Sequence, residues 1–245
     1  MPIEPINLLD GKFVVYPYYQ EDPGASSGLK HIDVLGILEG GLRKASKKLG
    51  HSGVKIDLYG SDTQFEGVVL GSAMNSDIMD LGICYKTPNL AEVLPTAMGG
   101  TVAHELHHNK RIGALGYVRT LAERLVKDGL ATKFEHDMYP DGKIYSWSRP
   151  LDEKETEYFW GLCKTRLGRD VTHDKWFFGD KDTVLEDGSI VHIPKYAGYR
   201  MGTMIVDDYQ KSHPEASLVD LASVQATEII QGSKYGLLAD RSASW

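Results

Sequence analysis

Cysteine is scarce in this chain, and long apolar runs are missing. Cys84 and Cys163 are the two cysteines among 245 residues. Two are too few for a disulfide framework, and they stand too far apart for a cysteine metal site. No segment approaches the roughly 20 apolar residues of a membrane-spanning helix. The start, Met1-Pro2-Ile3-Glu4-Pro5, lacks the basic residues and apolar core of a secretory signal, so a cytoplasmic location is expected. Positive charge is also short: 27 Lys and Arg against 34 Asp and Glu leave a net charge of −7. That disfavours nucleic acid as a partner, because phosphate needs a basic patch. The basic run Arg43-Lys44-Ala45-Ser46-Lys47-Lys48 falls on an amphipathic helix pattern and reads as a solvated face. Repeats, low-complexity tracts and clear linkers are absent.

What is present suits one folded domain. The chain is 42% hydrophobic and 25% charged, ordinary values for a protein with a packed core. Strand formers cluster at Phe13 to Tyr19, where Pro17 ends the strand or marks an edge. Gln20 to Gly28 reads as a loop. Leu35, Leu38, Leu42, Ala45 and Leu49 recur at helical spacing over Ile32 to Leu49. Val54 to Tyr59 alternates as a half-buried strand, and Phe65 to Leu70 and Ile78 to Tyr85 add two more. Helices are expected near Tyr117 to His136, Lys154 to Leu167, Gly198 to Tyr209 and Leu218 to Ile230. Asp187-Gly188 marks a hairpin turn within Val184 to Ile193, and Trp176-Phe177-Phe178-Gly179 is an aromatic knot. The pattern predicts a single α+β domain over 1–245, with a sheet-rich part over 1–95 and a helical part over 96–245.

The densest chemical signal is His104-Glu105-Leu106-His107-His108, a match to H-E-x-x-H. On a helix, residues four apart share a face, so two imidazoles converge on one metal ion. The Glu beside the first His then points at the open coordination position. With 9 histidines in the chain, the pattern arises by chance in roughly 2% of shuffled sequences, so its context matters. Val102, Ala103 and Leu106 suit a buried helix. Pro95 and Thr96 offer a start, Lys110 and Arg111 a last turn, and Gly113 a stop. Gly99-Gly100 weakens the early turns. Either the helix starts near Thr101, or close packing there requires small residues. A third ligand is needed, and the next helical stretch offers Glu123 and Asp128. They are five apart and point in different directions, so at most one can serve.

Gly100 to His108 resembles the helix of zinc metallopeptidases. Val126-Lys127-Asp128-Gly129-Leu130-Ala131-Thr132 resembles the E-G-F-A or E-G-L-A segment of the glutamate-zincin group, which includes aminopeptidase N. Together with Trp176 to Gly179 and Ile193 to Gly202, these segments are similar to a bacterial family of predicted zinc-dependent proteases, otherwise a domain of unknown function. The resemblance covers about Thr96 to Ile230. It implies a zincin-like fold and one Zn²⁺ per chain held by His104, His108 and Asp128. Asp128 stands where the family has Glu, one methylene longer. Glu123 is the fallback ligand, or an outer partner that orients a ligand His. In such folds a strand just before the metal helix forms the cleft edge, which makes Gly82 to Tyr85 a candidate substrate rail.

The expected activity is peptide hydrolysis by a zinc-bound water. Glu105 is the expected general base, and a peptide or protein the substrate. An oxyanion donor is expected from the carboxy-terminal half, with Tyr199 first and Tyr196, His192 and Arg200 as alternatives. His107 faces about 100° away from His108 and reads as an outer or surface group. His31, His51, His173 and His213 lack ligand-like spacing. Two other classes stay open: a non-catalytic zinc-binding domain for a peptide or partner, and a zinc hydrolase of non-peptide amides, which zinc-water chemistry does not distinguish from a peptidase. The retained Glu105 favours an enzyme, since a structural zinc site needs no base.

Overall fold

A computed structural model describes residues 3–73, 75–117, 119–142, 145–171, 174–185 and 187–238. His173 lies outside them. The chain is α+β, with an amino-terminal mixed sheet and a mostly helical remainder. It groups into two compact units: Met1–Gly116 with Phe134–Lys143, and Tyr117–Lys133 with Ile144–Trp245.

The first unit holds β1 (Ile6–Leu8), β2 (Phe13–Pro17), α1 (Pro23–Leu29), α2 (Val34–Leu49), β3 (Val54–Ser61), β4 (Val69–Ala73), β5 (Ile78–Cys84) and α3 (Leu90–Leu115). The sheet order is β1-β2-β3-β5-β4. β2, β3 and β5 are parallel, while β1 and β4 pair antiparallel at the edges. Alternation selects the core face: Phe13, Val15, Val54, Ile56, Leu58, Met79, Leu81 and Ile83 are buried. Pro17 ends β2. The segment expected as a loop contains α1, because Asp22 caps Gly24 N–H at 2.8 Å and Pro23 sits at the first helical position.

Two expectations change here. The strand expected over Phe65 to Leu70 runs instead over Val69–Ala73, after Val68 in a left-handed conformation (φ 68°). The proposed rail is also wrong. β5 is hydrogen-bonded to β3 on one side and β4 on the other, so it has no edge to offer a peptide.

α3 begins well before Pro95 and passes through Gly113 to a cap at Gly116 (φ 79°). Leu90, Leu94 and Met98 are buried, and their burial outweighs the backbone bond that Pro95 forfeits. The glycine pair lies inside the helix, so close packing is the answer there. A Cβ on Gly99 would overlap the Tyr139 ring, and one on Gly100 would lie 3.0 Å from Glu135 Oε1. On α2, a Cβ on Gly41 would lie 3.2 Å from Gly99 Cα, so the two helices meet backbone to backbone. Each mid-helix glycine costs about 1 kcal/mol relative to alanine. These contacts account for that cost at Gly99 and Gly100.

α4 (Leu121–Met138) belongs to the second unit as far as Lys133, and its last turn belongs to the first. The second unit continues with α5 (Glu153–Cys163), the hairpin β6 (Lys181–Val184) and β7 (Ile190–Ile193), and α6 (Ala197–Ser212). A capping box starts α5: Asp152 Oδ1 accepts from Glu155 N–H at 2.8 Å, and Glu155 Oε2 from Asp152 N–H at 3.2 Å. The helix expected over Leu218 to Ile230 is two, α7 (Leu218–Leu221) and α8 (Ala226–Gln231), followed by α9 (Lys234–Leu238). Gln225 is extended (φ −61°, ψ 142°) and separates α7 from α8. α4 and α6 meet at two glycines. A Cβ on Gly129 would overlap the Gly202 carbonyl, and one on Gly202 would overlap the Leu125 carbonyl.

Candidate metal centre

His104 and His108 lie one turn apart on α3, with ring centroids 4.6 Å apart and planes at 88°. Asp128 comes from the middle of α4. Each of the three offers one ligand atom, and these atoms all lie within 4.8 Å of one another. Asp128 is 3% exposed and His108 4%. A carboxylate that deep stays ionised only beside a cation or hydrogen-bond donors. Two imidazoles and one carboxylate form the donor set of a zinc site with a coordination position left open. The residues therefore fit a zinc ion. Glu123, also buried, lies in the first turn of α4 and is not in this group.

A second carboxylate, Glu135, joins them. Its Oε2 lies 3.2 Å from His104 Nδ1, with both side chains largely buried. When Nδ1–H donates to Glu135, the Nε2 lone pair is left for a metal. Glu135 is seven residues beyond Asp128, two helical turns along the same face of α4. That spacing was visible in the sequence. Only the depth of burial on α3 gives it meaning, and Gly100 supplies the room.

Glu105 is buried on α3 between the two histidines. His107 is not a surface group. It is fully buried, with its ring 5.5 Å from that of Phe134. The reason is that α3 is enclosed on more than the face bearing His104 and His108. Asn109 is also buried, and its side-chain amide donates to the carbonyls of Asn75 and Ile78, which ties α3 to the turn between β4 and β5.

Of the candidate oxyanion donors, Tyr199 stands in the first turn of α6, edge-on to Phe177 at 5.2 Å and Phe178 at 6.0 Å. Tyr196 caps α6 in a left-handed conformation (φ 57°) and meets Trp147 edge-on. His192 pairs with Asp182 across the exposed β6–β7 hairpin at 3.2 Å. Arg200 serves a structural end: it pairs with Glu155 at 2.8 Å and donates to the carbonyls of Arg149 and Pro150. Its guanidinium is committed to holding α5 and the segment before it. His31 is exposed, His213 stacks on Tyr209, and burial lowers the pKa of His51. Burial raises the pKa of both thiols, which disfavours a cysteine nucleophile near neutral pH.

These features define an α+β protein with a candidate His–His–Asp metal centre beside a buried glutamate. The chain belongs to the family described as Predicted Zn-dependent protease (DUF2268), whose model matches residues 35–231. It is similar to the Uncharacterized protein YjfC of Bacillus subtilis (strain 168), with 23% identity over 134 residues. That match takes in 50% of this chain and 44% of the relative, so the chain spans less than half of the relative's length. No solved structure matches.

Proposed function

We propose that the protein is a zinc-dependent peptidase of zincin-like fold, with one zinc per chain held by His104, His108 and Asp128. The observation that carries this reading is the convergence of those three side chains, with Glu105 next to His104 on the same helix. A zinc ion there supplies a Lewis acid and brings the pKa of water toward about 7. Glu105 takes the proton of the attacking water and delivers it to the leaving amine. Tyr199 is the proposed donor to the tetrahedral oxyanion. Support for it is topological: Gly129, next to Asp128, interlocks with Gly202, which lies three residues past Tyr199 on α6.

The place proposed for a substrate backbone is β4, an edge strand of the sheet. Cys84 N–H donates to Val68 O, so pairing alternates through residues 68, 70 and 72. The backbone groups of Val69, Gly71 and Ala73 then face away from β5.

Zinc content of protein purified without added metal tests the centre, with His104→Ala in parallel. About one zinc per chain, lost in the variant, is expected. Digestion of a diverse peptide library tests the activity. Glu105→Gln is expected to keep its zinc and to lose at least about 10²-fold in rate. Wild-type turnover in that variant would remove Glu105 as the base.

A further inference from the structure

β4 runs against α3 at the level of Glu105. Thr101 and Glu105, one turn apart on α3, both face Gly71. A Cβ at position 71 would lie 2.6 Å from Glu105 Oε1, 2.7 Å from Glu105 Cγ and 2.7 Å from Thr101 Cγ2. Carbon atoms in contact settle at about 3.5–4.0 Å. The Oε1 overlap alone is cheap to relieve, because it is the end of a flexible chain. The other two are not. Glu105 Cγ is anchored close to the helix backbone in a buried side chain, and Thr101 is short and β-branched.

The backbone gives no other reason for a glycine here. Gly71 is not among the positive-φ glycines. It stands in the middle of a strand, where glycine costs roughly 0.5–1 kcal/mol relative to alanine. A strand glycine of this kind marks the close approach of another group, and the group here is the Glu105 side chain.

We infer that Gly71 is a positioning residue for Glu105: its missing side chain sets where the carboxylate rests against the edge strand. The inference rests on the reading of Glu105 as the base of a peptidase. Any larger residue at 71 moves the carboxylate off that position and leaves the His104, His108 and Asp128 ligand set intact. An error of about 1 Å in the placement of a catalytic group costs on the order of 10²-fold in rate.

The test is a double-mutant cycle with a peptide substrate taken from the library. Gly71→Ala is expected to hold zinc as the wild type does. Its kcat should fall at least about 10-fold with little change in KM, short of the limit set by complete misplacement. In the Glu105→Gln background, the same substitution should change the residual rate less than about twofold, because coupled residues are non-additive. A wild-type kcat in Gly71→Ala overturns the inference. So does an equal loss in both backgrounds, which would mean that residue 71 acts other than through Glu105. If Gly71→Ala fails to fold by circular dichroism, Gly71→Ala with Thr101→Ser removes the methyl overlap and is assayed in the same way. An unfolded pair assigns the clearance to core packing and overturns the inference. A zinc-loaded wild type that cleaves nothing takes down the peptidase reading and this inference together. An active wild type with an unaffected Gly71→Ala takes down this one alone.

Discussion

Asp128 is one methylene shorter than the Glu that the resemblance leads one to expect. The α4–α6 contact at Gly129 places backbone where a side chain would otherwise stand, immediately beside Asp128. Seven residues on, Glu135 reaches a ring nitrogen of His104. One face of α4 thus offers a proposed ligand and the orienting partner of another ligand. This assignment ranks three substitutions by zinc affinity, measured in competition with a chelating dye. Glu135→Gln should weaken zinc about 10- to 100-fold, the range for outer carboxylate partners of metal-bound histidines. Asp128→Ala should exceed that loss, and Glu123→Ala should fall well short of it. A larger loss in Glu123→Ala than in Asp128→Ala would move the third ligand to Glu123. An unchanged affinity in Glu135→Gln would mean that its contact with His104 carries no orienting force. The pair His104 and His108 was legible in the sequence, because spacing on a helix is itself a geometry. Glu135 was not. A carboxylate on an amphipathic helix is usually solvated, and the sequence does not say which carboxylates face another helix.

Among the helices, glycines rather than large residues decide the close approaches. Gly41 meets Gly99 between α2 and α3, and Gly129 meets Gly202 between α4 and α6. In the sequence these residues look like weaknesses of the helix pattern, and Gly99-Gly100 leaves two readings open, a late start for α3 or a need for small residues in close packing. The structure selects the second: the helix is long, and its neighbours sit where Cβ atoms would be. Gly202→Ala therefore forces overpacking at the α4–α6 contact. That type of insertion costs about 1–3 kcal/mol, or roughly 3–10 °C in Tm for a chain of this size. Gly161 on α5 is the control, since a Cβ there meets nothing within 4 Å. Gly161→Ala should gain up to about 1 kcal/mol by limiting the unfolded chain. Thermal melts of the two variants should shift in opposite directions. A Gly202→Ala protein as stable as wild type would mean that α4 and α6 separate at no cost.

At the scale of the whole chain, the types of the longer elements were readable from periodicity, while α1 and the strand order were not. Ile78 to Tyr85 carries the apolar character of a buried strand, and Met79, Leu81, Ile83 and Cys84 within it are buried. Nothing in its composition says that β4, the preceding strand, lies beyond it and forms an edge. Long-range pairing of this kind joins segments far apart in the chain, and no local window contains that information. The candidate metal centre has the same non-local character, because His104 and His108 come from α3 and Asp128 from α4. An unfolded chain does not hold three donors in that arrangement, so zinc bound by all three favours the folded state. At free zinc 100-fold above its Kd, the gain is about 2.7 kcal/mol. That corresponds to roughly 5–10 °C in Tm for a chain of this length. Melts of chelator-stripped protein with increasing zinc should rise by that amount, and His104→Ala should show little of the increase. Zinc that binds at one ion per chain without raising the Tm would place it on donors also available in the unfolded chain. In that case the convergence of His104, His108 and Asp128 would not be the binding site, whatever the chain hydrolyses.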